Sequence, residues 1–329
     1  MQSVLGIDVS KAKVDVALVI TEQKPKSNSF DNNKVGFGKL QRWLQKQSQA
    51  PVSVCMEATG RYSEAIAEYL HAQGHRVSVV NPSRLHAYGR SKLSRSKTDK
   101  ADALLIADFA ATQKPPQWFP ITEHQQELQE LTRQLDDLKA SRQRVSNRMG
   151  SGIRSRRVKQ LLQEQLDLLG GQIKQLEKEI EQHIQEGEQS KHDFDLLLTI
   201  PGIGPTTAAK FLAEVPDIHR FESADQLAAY AGLVPKHHLS GSSVQRRSTL
   251  AKTGNVFLRT AFYMPALSAE RFNPLIANFA QRLRSALMPK SKMTIITAIM
   301  HKLLALAYGV LKSNRPFDPN FAPSLQIET

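Results

Sequence analysis

Cysteine is almost absent from this sequence, since Cys55 is the only one among 329 residues. A single thiol excludes an internal disulfide framework and a cysteine-rich zinc site. Cys55 lies inside an apolar run, so we expect it to be buried filler of a strand. The chain is long enough for two or three domains.

Acidic residues are outnumbered, because 31 Asp and Glu stand against 44 Lys and Arg, and the formal net charge is +13. A surface of that sign attracts a polyanion, with nucleic acid the first expectation and an anionic membrane the second. No apolar run approaches the ~20 residues of a transmembrane helix, and the N-terminus lacks the apolar core of a signal peptide. These absences predict a cytoplasmic protein that binds nucleic acid and no membrane.

The first third of the chain alternates short apolar runs with amphipathic stretches. Short apolar runs predict strands at 4–8, 52–56 and 76–80, alternation of apolar residues predicts one at 14–20, and a further strand is expected around 27–30. Helical periodicity predicts helices at 35–47, 62–73 and from residue 99 onwards. Three strands followed by helix, strand, helix, strand, helix favour a mixed sheet covered on both faces. That is the element order of the ribonuclease H-like fold.

Four carboxylates stand at ends of these predicted elements. Asp99 and Asp102 share one face of a helix that Thr98 would cap, and two like charges there call for a divalent cation. Asp8 and Glu57 close strands whose C-terminal ends converge at one sheet edge. We expect the four to meet at a metal. Each taken alone could be an ordinary strand-end, turn or first-turn acid.

Basic residues precede that helix in a stretch that reads as a loop, and we expect it to position a nucleic-acid backbone at the metal. Its candidate contacts are Arg84, Arg90, Lys92, Arg95 and Lys97. Asp108, farther along the helix, is expected to be a solvated acid away from the metal. The stripe formed by Ala103, Ile106 and Phe109 is expected to face the core.

Heptad spacing marks residues 123–185, where Leu and Ile recur every three or four positions among Gln, Glu, Lys and Arg. The pattern predicts a helical hairpin or coiled coil with a break near residues 150–152. About 25 helical residues reach roughly 40 Å, enough to span to a partner subunit. Packing within one chain is the alternative.

The last third carries two further candidate sites. Pro and Gly at 201–205 between helical stretches suggest a helix-hairpin-helix turn, in which Gly202 and Gly204 would offer backbone N–H groups to a phosphate. Residues 240–243 are flanked in sequence by three cations, Lys236, Arg246 and Arg247. These cations could stabilise the alkoxide of a serine or the charge of a phosphate. A basic loop that touches phosphates without chemistry is the alternative. Helices with core-facing stripes are predicted at 256–267 and 291–308, and the tail after residue 316 is expected to be loosely ordered.

Six motifs together resemble the DEDD transposases of the IS110 group of insertion sequences. They are GIDVSK at 6–11, MEATG at 56–60, KTDKADA at 97–103, PGIG at 201–204, AGLVP at 231–235 and SGSS at 240–243. The resemblance covers nearly the whole chain in the family's order. It implies a RuvC-like catalytic domain at 1–118, a coiled-coil connector for oligomerisation at 119–190 and a mainly helical transposase domain at 191–315.

The resemblance also implies the chemistry. The DEDD tetrad falls on Asp8, Glu57, Asp99 and Asp102, which would hold Mg²⁺ or Mn²⁺, and the nucleophile falls on Ser240. Such enzymes form a covalent phosphoserine link to DNA. They work as tetramers, dimers of dimers, in which one subunit's acids meet another's serine. A structured noncoding RNA, the bridge RNA, pairs with donor and target DNA. The setting implied is a prokaryotic cytoplasm, with association to the nucleoid during activity.

Three other functions remain compatible with parts of the sequence. A RuvC-type nuclease would use the four acids and metal-bound water without Ser240. A sugar-kinase or actin-like ATPase shares the Gly, Asp and Ser of the first strand and turn, but would need a second glycine-rich phosphate loop that is not visible. A non-catalytic nucleic-acid scaffold would need neither the acids nor the serine.

Overall fold

The computed structural model describes residues 3–20, 23–48, 51–92, 99–236, 239–240, 244–245, 249–250, 253–286 and 290–320. For residues 99, 235–236, 239–240, 244–245 and 249 the description covers the backbone. The chain divides into two compact units, Met1–Ile121 and Thr122–Thr329. Predictions for Arg95, Lys97, Thr98, Arg246, Arg247 and most of the tail lie outside the described residues.

The first unit is built on a mixed five-stranded sheet, as predicted. Its strands are β1 Val4–Val9, β2 Lys13–Val19, β3 Lys26–Asp31, β4 Ser53–Glu57 and β5 Arg76–Val80. The spatial order is β3-β2-β1-β4-β5. β1 pairs antiparallel with β2 and β2 with β3, whereas β1, β4 and β5 are parallel. The parallel part brings the C-terminal ends of β1, β4 and β5 to one edge.

Helices cover both faces of this sheet. They are α1 Lys34–Gln47, α2 Arg61–Ala72, α3 Pro82–Ser91 and α4 Asp99–Gln113. Residues of α1 and α2 share one apolar cluster with alternate residues of the strands, while α3 and α4 share another with Cys55 and Val80. Cys55 is buried, as predicted, and burial raises the pKa of its thiol to about 12, against a weaker opposing effect of the Arg84 charge. The Cys55 thiol is therefore an inert structural group.

Gly6 fixes how closely α4 approaches the sheet. A Cβ placed on Gly6 would lie 2.1 Å from the carbonyl oxygen of Ala103 and 2.4 Å from the amide nitrogen of Ala107. The predicted stripe of α4 is confirmed, because Ala103, Ile106 and Phe109 are all buried. The backbone of α4 therefore lies directly on β1, and only glycine allows this contact.

The predicted basic loop is wrong over its first part, because residues 82–91 form the helix α3. Asn81 accepts a hydrogen bond from the Ser83 amide, and Pro82 occupies the first helical position. Both are start signals of a helix. The sequence concealed it because Leu85 is the one residue of α3 found buried, which leaves too little apolar periodicity to recognise.

The second unit begins with a helical hairpin of α5 Glu123–Met149 and α6 Arg156–Glu186. The two helices pack along each other within the same chain. Near the hairpin base, Leu128 and Ile180 belong to the large core of the second unit, whereas Val145, Leu162 and Leu169 form a separate small cluster. The described packing is thus the intramolecular alternative, and the role in oligomerisation remains a prediction.

The remaining elements fold onto the hairpin base. The helices are α7 Glu188–Leu198, α8 Pro205–Glu214, the 3₁₀ turn Ile218–Arg220, α9 Ala224–Tyr230, α10 Val256–Ala261, α11 Tyr263–Phe272, α12 Pro274–Arg284 and α13 Lys292–Ser313. Two-residue strands stand between α9 and α10: β6 Pro235–Lys236, β7 Leu239–Ser240, β8 Val244–Gln245 and β9 Thr249–Leu250. Among the described helices, α13 alone is long and apolar enough to cross a membrane, and half of that stretch is buried. Its buried residues belong to the large core of this unit, as expected of a core helix.

Candidate active site

Strand register brings Asp8 and Glu57 together at the edge of the sheet. Ile7 lies opposite Met56 in the parallel pair of β1 and β4, so the following residues, Asp8 and Glu57, are neighbours. Side chains alternate along a strand, and Asp8 therefore projects from the same face as Gly6, which α4 covers. Both acids are half-buried. This confirms that these two strand ends converge.

The start of α4 is placed at the same face. The helix begins at Asp99, and Asp102 directly precedes Ala103, whose carbonyl lies against Gly6 in β1. Asp102 is half-buried, and the side chain of Asp99 is outside the description. The backbone thus carries both predicted acids of α4 on the helix that covers Asp8.

The predicted site residues have the chemical type that binds a divalent cation through oxygen atoms. Carboxylates are the ligands that Mg²⁺ and Mn²⁺ prefer. Two residues after Glu57, the Oγ1 atom of Thr59 is buried without a hydrogen-bond partner in the described structure, a polar group left for a ligand or a water. Among the described side chains, no group of three His, Cys, Asp or Glu is close enough to hold a metal. Asp8, Glu57 and Asp102 all belong to the described set and do not form such a group, and the side chain of Asp99 lies outside it.

Sequence reasoning missed a further acid beside this row. Asp15 in β2 is the direct antiparallel partner of Asp8, is buried, and pairs with Lys13 at 3.0 Å. Like charges directly opposite each other destabilise a sheet, so the Lys13 ammonium offsets part of the repulsion. The length of the turn between β1 and β2 could have predicted this pairing, because a two-residue turn after Ser10 places position 15 opposite position 8.

The predicted cations of α3 differ in their surroundings. The Arg84 guanidinium lies 5.6 Å from the centre of the Phe109 ring, and Arg90 is exposed. Lys92 pairs with Asp108 at 2.9 Å. Asp108 is consequently not the isolated solvated acid that the sequence suggested.

Asp108 joins α4 to the end of α3. The Tyr88 hydroxyl donates to its Oδ2 at 2.8 Å, beside the Lys92 ammonium. Burial alone would raise the pKa of Asp108, but the hydrogen bonds from Lys92 and Tyr88 outweigh it and hold that pKa below its usual value. The same contacts raise the pKa of Lys92. This clamp positions α3 on α4.

In the second unit, the predicted helix-hairpin-helix turn lies between α7 and α8. Gly202 has φ of +105°, and a Cβ there would come within 2.5 Å of the Ala269 Cβ, so its glycine serves packing against α11. Gly204 is the N-terminal cap residue of α8 without a side-chain cap, and its Cβ position faces open space. Both glycines are half-buried, and of the two only Gly204 has open space beside its Cβ position.

Ser240 lies in a narrow two-stranded ladder. It is the antiparallel partner of Val244, while Lys236 in β6 pairs with Thr249 in β9. The backbone description gives no contacts for the side chains of Ser240 or Lys236. The predicted nucleophile is placed by its backbone, and its role stays a prediction.

The two ends of this serine segment, residues 232–254, are fixed side by side. Gly254 has φ of +153°, and a Cβ on it would lie 2.4 Å from the Tyr230 carbonyl oxygen. The Asn255 amide donates to that same carbonyl at 2.7 Å, and Arg259 donates to the Ala231 carbonyl at 3.0 Å. The segment therefore leaves and re-enters the helical core at one point.

A buried carboxylate supports this point, and sequence reasoning missed it. Glu214, at the end of α8, is 4% exposed. Arg133 of α5 donates two hydrogen bonds to it, at 2.9 and 3.1 Å, and Asn255 donates a third at 2.7 Å. A bidentate, charge-assisted pair of this kind is among the stronger polar contacts in proteins. The hairpin base is thereby tied to the serine segment.

Comparisons with known proteins agree with this arrangement. A family model for DEDD transposases of the IS110 type matches residues 5–155, and one described as "Transposase IS116/IS110/IS902 family" matches residues 194–281. The pilin gene-inverting protein of Moraxella bovis is 37% identical over 95% of this chain and 97% of its own length. The transposase for insertion sequence element IS1328 of Yersinia enterocolitica is 25% identical over 96% and 98%.

These matches span both units, and the first model includes the acids of β1, β4 and α4. The more similar of these two relatives is aligned over 97% of its own length. Residues 194–281 contain the turn between α7 and α8, the serine segment and its supporting helices. The chain belongs to the IS110 family of transposases, enzymes of DNA recombination.

Proposed function

We propose that this transposase cuts and rejoins DNA strands through a phosphoserine intermediate at Ser240, assisted by a divalent cation held by Asp8, Glu57, Asp99 and Asp102. The observation that carries the proposal is the register of β1 and β4, which makes Asp8 and Glu57 neighbours beneath α4. A RuvC-like, ribonuclease H-like reading of the first unit is supported by its strand order β3-β2-β1-β4-β5.

The serine chemistry conserves the phosphodiester bond energy. The Ser240 oxygen attacks a backbone phosphorus and loses its proton, and the bond from phosphorus to one deoxyribose oxygen breaks. That oxygen takes up a proton and leaves as a free hydroxyl, while the DNA end stays on the serine. Attack by the hydroxyl of another DNA end reverses these changes and rejoins the strands. Mg²⁺ or Mn²⁺, when bound, would neutralise charge on the phosphate.

The protein's own groups would hold the substrate. Asp8 and Glu57 would hold the cation at the sheet edge, and Arg84, Arg90 and the start of α4 would lie along the approach of the backbone. Lys236, Arg246 and Arg247 would offset phosphate charge near Ser240. Gly204 would offer the N-terminus of α8 to a further phosphate.

Guidance and assembly are further parts of the proposal. A structured bridge RNA would pair with donor and target DNA, and four subunits would supply acids and serine to one another. The net charge of +13 supports simultaneous binding of RNA and DNA backbones. Association with the nucleoid during activity would follow from that binding.

Trapping the covalent adduct tests the chemistry. Full-length protein with Mg²⁺ and its element's end DNA should give a denaturation-resistant protein–DNA band, and Ser240→Ala should abolish both the band and recombination. Asp8→Asn should abolish the band while DNA binding persists. Ser242→Ala, in the same run, is the matched control and should keep the band. Strand cleavage by Ser240→Ala without an adduct would favour the metal-dependent nuclease instead.

A second candidate is site-specific DNA inversion. It is favoured by the 37% identity to the pilin gene-inverting protein, against 25% to the IS1328 transposase. A plasmid that carries the two end sequences in inverted orientation distinguishes the outcomes. Inversion of the intervening segment supports this candidate, and insertion into a second plasmid supports transposition.

A further inference from the structure

We infer that the distal end of the α5–α6 hairpin is a binding surface for the phosphodiester backbone of a nucleic-acid duplex. Residues 138–163, which contain the turn between the two helices, include eight Lys and Arg and no Asp or Glu. The hairpin base, 123–137 with 164–186, has eleven acids and three Lys and Arg. The net charge is thus +8 at the distal end and −8 at the base. A hairpin whose charged residues only kept it soluble would carry both signs along its whole length.

The basic end presents its cations to solvent. Arg148, Arg154, Arg156 and Arg157 are all exposed. Within the part of the chain that the structure describes, the salt bridge in this stretch joins Lys139 to Glu177, and the arginines have no acidic partner. Six of the eight cations are arginines. The arginine fork matches phosphate oxygens in pairs, so the composition suits a phosphate better than a generic counter-ion.

The end is also a structured platform. Val145, Leu162 and Leu169 form an apolar cluster of their own, separate from the large core at the base. The 27 residues of α5 extend about 40 Å. This rigid arm holds the arginines in a fixed arrangement some distance from the core.

Helix electrostatics give a second, independent reason. The N-terminus of a helix favours acids and disfavours cations, yet α6 begins with Arg156 and Arg157 and has no acid in its first turn. Ser155 caps the helix by accepting from the Val158 amide, so the local start signal is otherwise favourable. Cations kept at an unfavourable helix end indicate a use outside folding.

Binding to an unspecific duplex tests the inference apart from any recombination chemistry. The variant Arg156→Gln/Arg157→Gln removes two charges from the distal end, and Lys174→Gln/Lys178→Gln removes two exposed charges from the base of the same helix. Affinity of the full-length proteins for a fluorescent duplex of about 30 base pairs is measured without divalent cations, across a salt series. We expect the distal variant to bind about tenfold more weakly at low salt, with a salt slope lower by about 2, and the control to change less than about twofold.

Two arms distinguish the sources of the backbone, and both would support the inference. Loss with DNA and RNA duplexes alike indicates phosphodiester recognition in general, whereas loss with RNA alone indicates an A-form backbone. Arg156→Lys/Arg157→Lys should retain most of the affinity, and thermal melting should show the glutamine variant to be folded, since it relieves the helix end. Equal changes in the distal and control variants would overturn the inference. So would weakened self-association with unchanged duplex affinity, which would assign the end to the acidic base of a second copy.

Discussion

The proposed acids of the first unit and the proposed serine of the second unit are supported by different kinds of interaction. At the sheet edge of the first unit, Asp8 is placed by strand register and by a glycine that lets α4 touch β1. In the second unit, a buried carboxylate, Glu214, accepts hydrogen bonds from Arg133 of α5 and from Asn255, which directly follows the serine segment. Close packing of α4 on the sheet fixes the position of a whole helix, whereas the hydrogen bonds of Glu214 fix the position of a few side chains. Substitutions should therefore affect the two units differently.

The largest effect is expected for Gly6→Ala. The added methyl group would meet the backbone of α4 at 2.1 and 2.4 Å, and backbone cannot rotate aside as a flexible side chain can. We expect a loss of about 3 kcal/mol or more in the free energy of unfolding, at the upper end of overpacking costs. Urea denaturation measures it, and recombination should fall with it because α4 carries Asp102.

Gly38→Ala is the matched control. Gly38 lies inside α1, and a Cβ there meets nothing within 4 Å. Alanine should stabilise the helix by about 0.5–1 kcal/mol. Similar losses for both glycines would show that the contact between α4 and Gly6 is not what holds the acids in place.

A smaller effect is expected for Glu214→Gln. The side chain of Glu214 is 3% exposed. Glutamine removes the negative charge and leaves the buried side of the Arg133 guanidinium with a neutral partner. Because the Arg133 side chain is 37% exposed and can keep some water, we expect about 2 kcal/mol, less than for a fully buried pair. Chemical denaturation provides the number.

The positioning role of Glu214 needs a second acid for comparison. Glu270 of α11 pairs with Arg284 of α12 in the same unit, and this pair involves neither end of the serine segment. At a temperature where both glutamine variants are folded, Glu214→Gln should slow adduct formation about tenfold or more, and Glu270→Gln should leave it unchanged. Matching rates would reduce the Glu214 network to a purely structural role.

The same contrast explains what could be predicted from the sequence. The strands, α4 and its buried stripe follow from apolar periods of 2 and 3.6, which are local. Convergence of Asp8 with Glu57 follows from strand order, because parallel strands share an edge. Arg133 and Glu214 lie 81 residues apart, and no local period relates them. Their pairing required the fold of α5 on α8.

The helix α3 shows the limit from the other side. Its start signals, Asn81 as the N-terminal cap and Pro82 as the first helical residue, are visible in the sequence. Its single buried residue, however, gives no apolar periodicity that would indicate a helix. The charged stretch therefore has the sequence pattern of a loop although it forms a helix. Asp108 is not predictable as a paired acid for the same reason, since its partner Lys92 directly follows a helix that the apolar pattern does not reveal.

The smallest effect is expected for Asp108→Asn. Both partners of the Lys92–Asp108 pair are about half exposed, so water and salt screen it. Asparagine keeps an acceptor for the Tyr88 hydroxyl and loses the charge. We expect the melting temperature to fall by less than about 2 °C at neutral pH, measured by circular dichroism.

The pH dependence separates charge from packing in this clamp. The pKa of Asp108 is lowered in the folded protein, so its contribution is present above the unfolded value of about 3.9 and disappears as pH falls through the lower folded pKa. The pKa of Lys92 is raised, so its contribution disappears only as pH rises beyond about 10.4. The difference between wild type and Asp108→Asn should be constant from about pH 5 to 9 and close on acidification below about pH 4. If the variant and wild type are equally stable from about pH 5 to 9, the Tyr88 contact, which asparagine keeps, and not the ion pair holds α3 against α4. In that case Lys92 would be available to a nucleic-acid backbone at no cost to the fold.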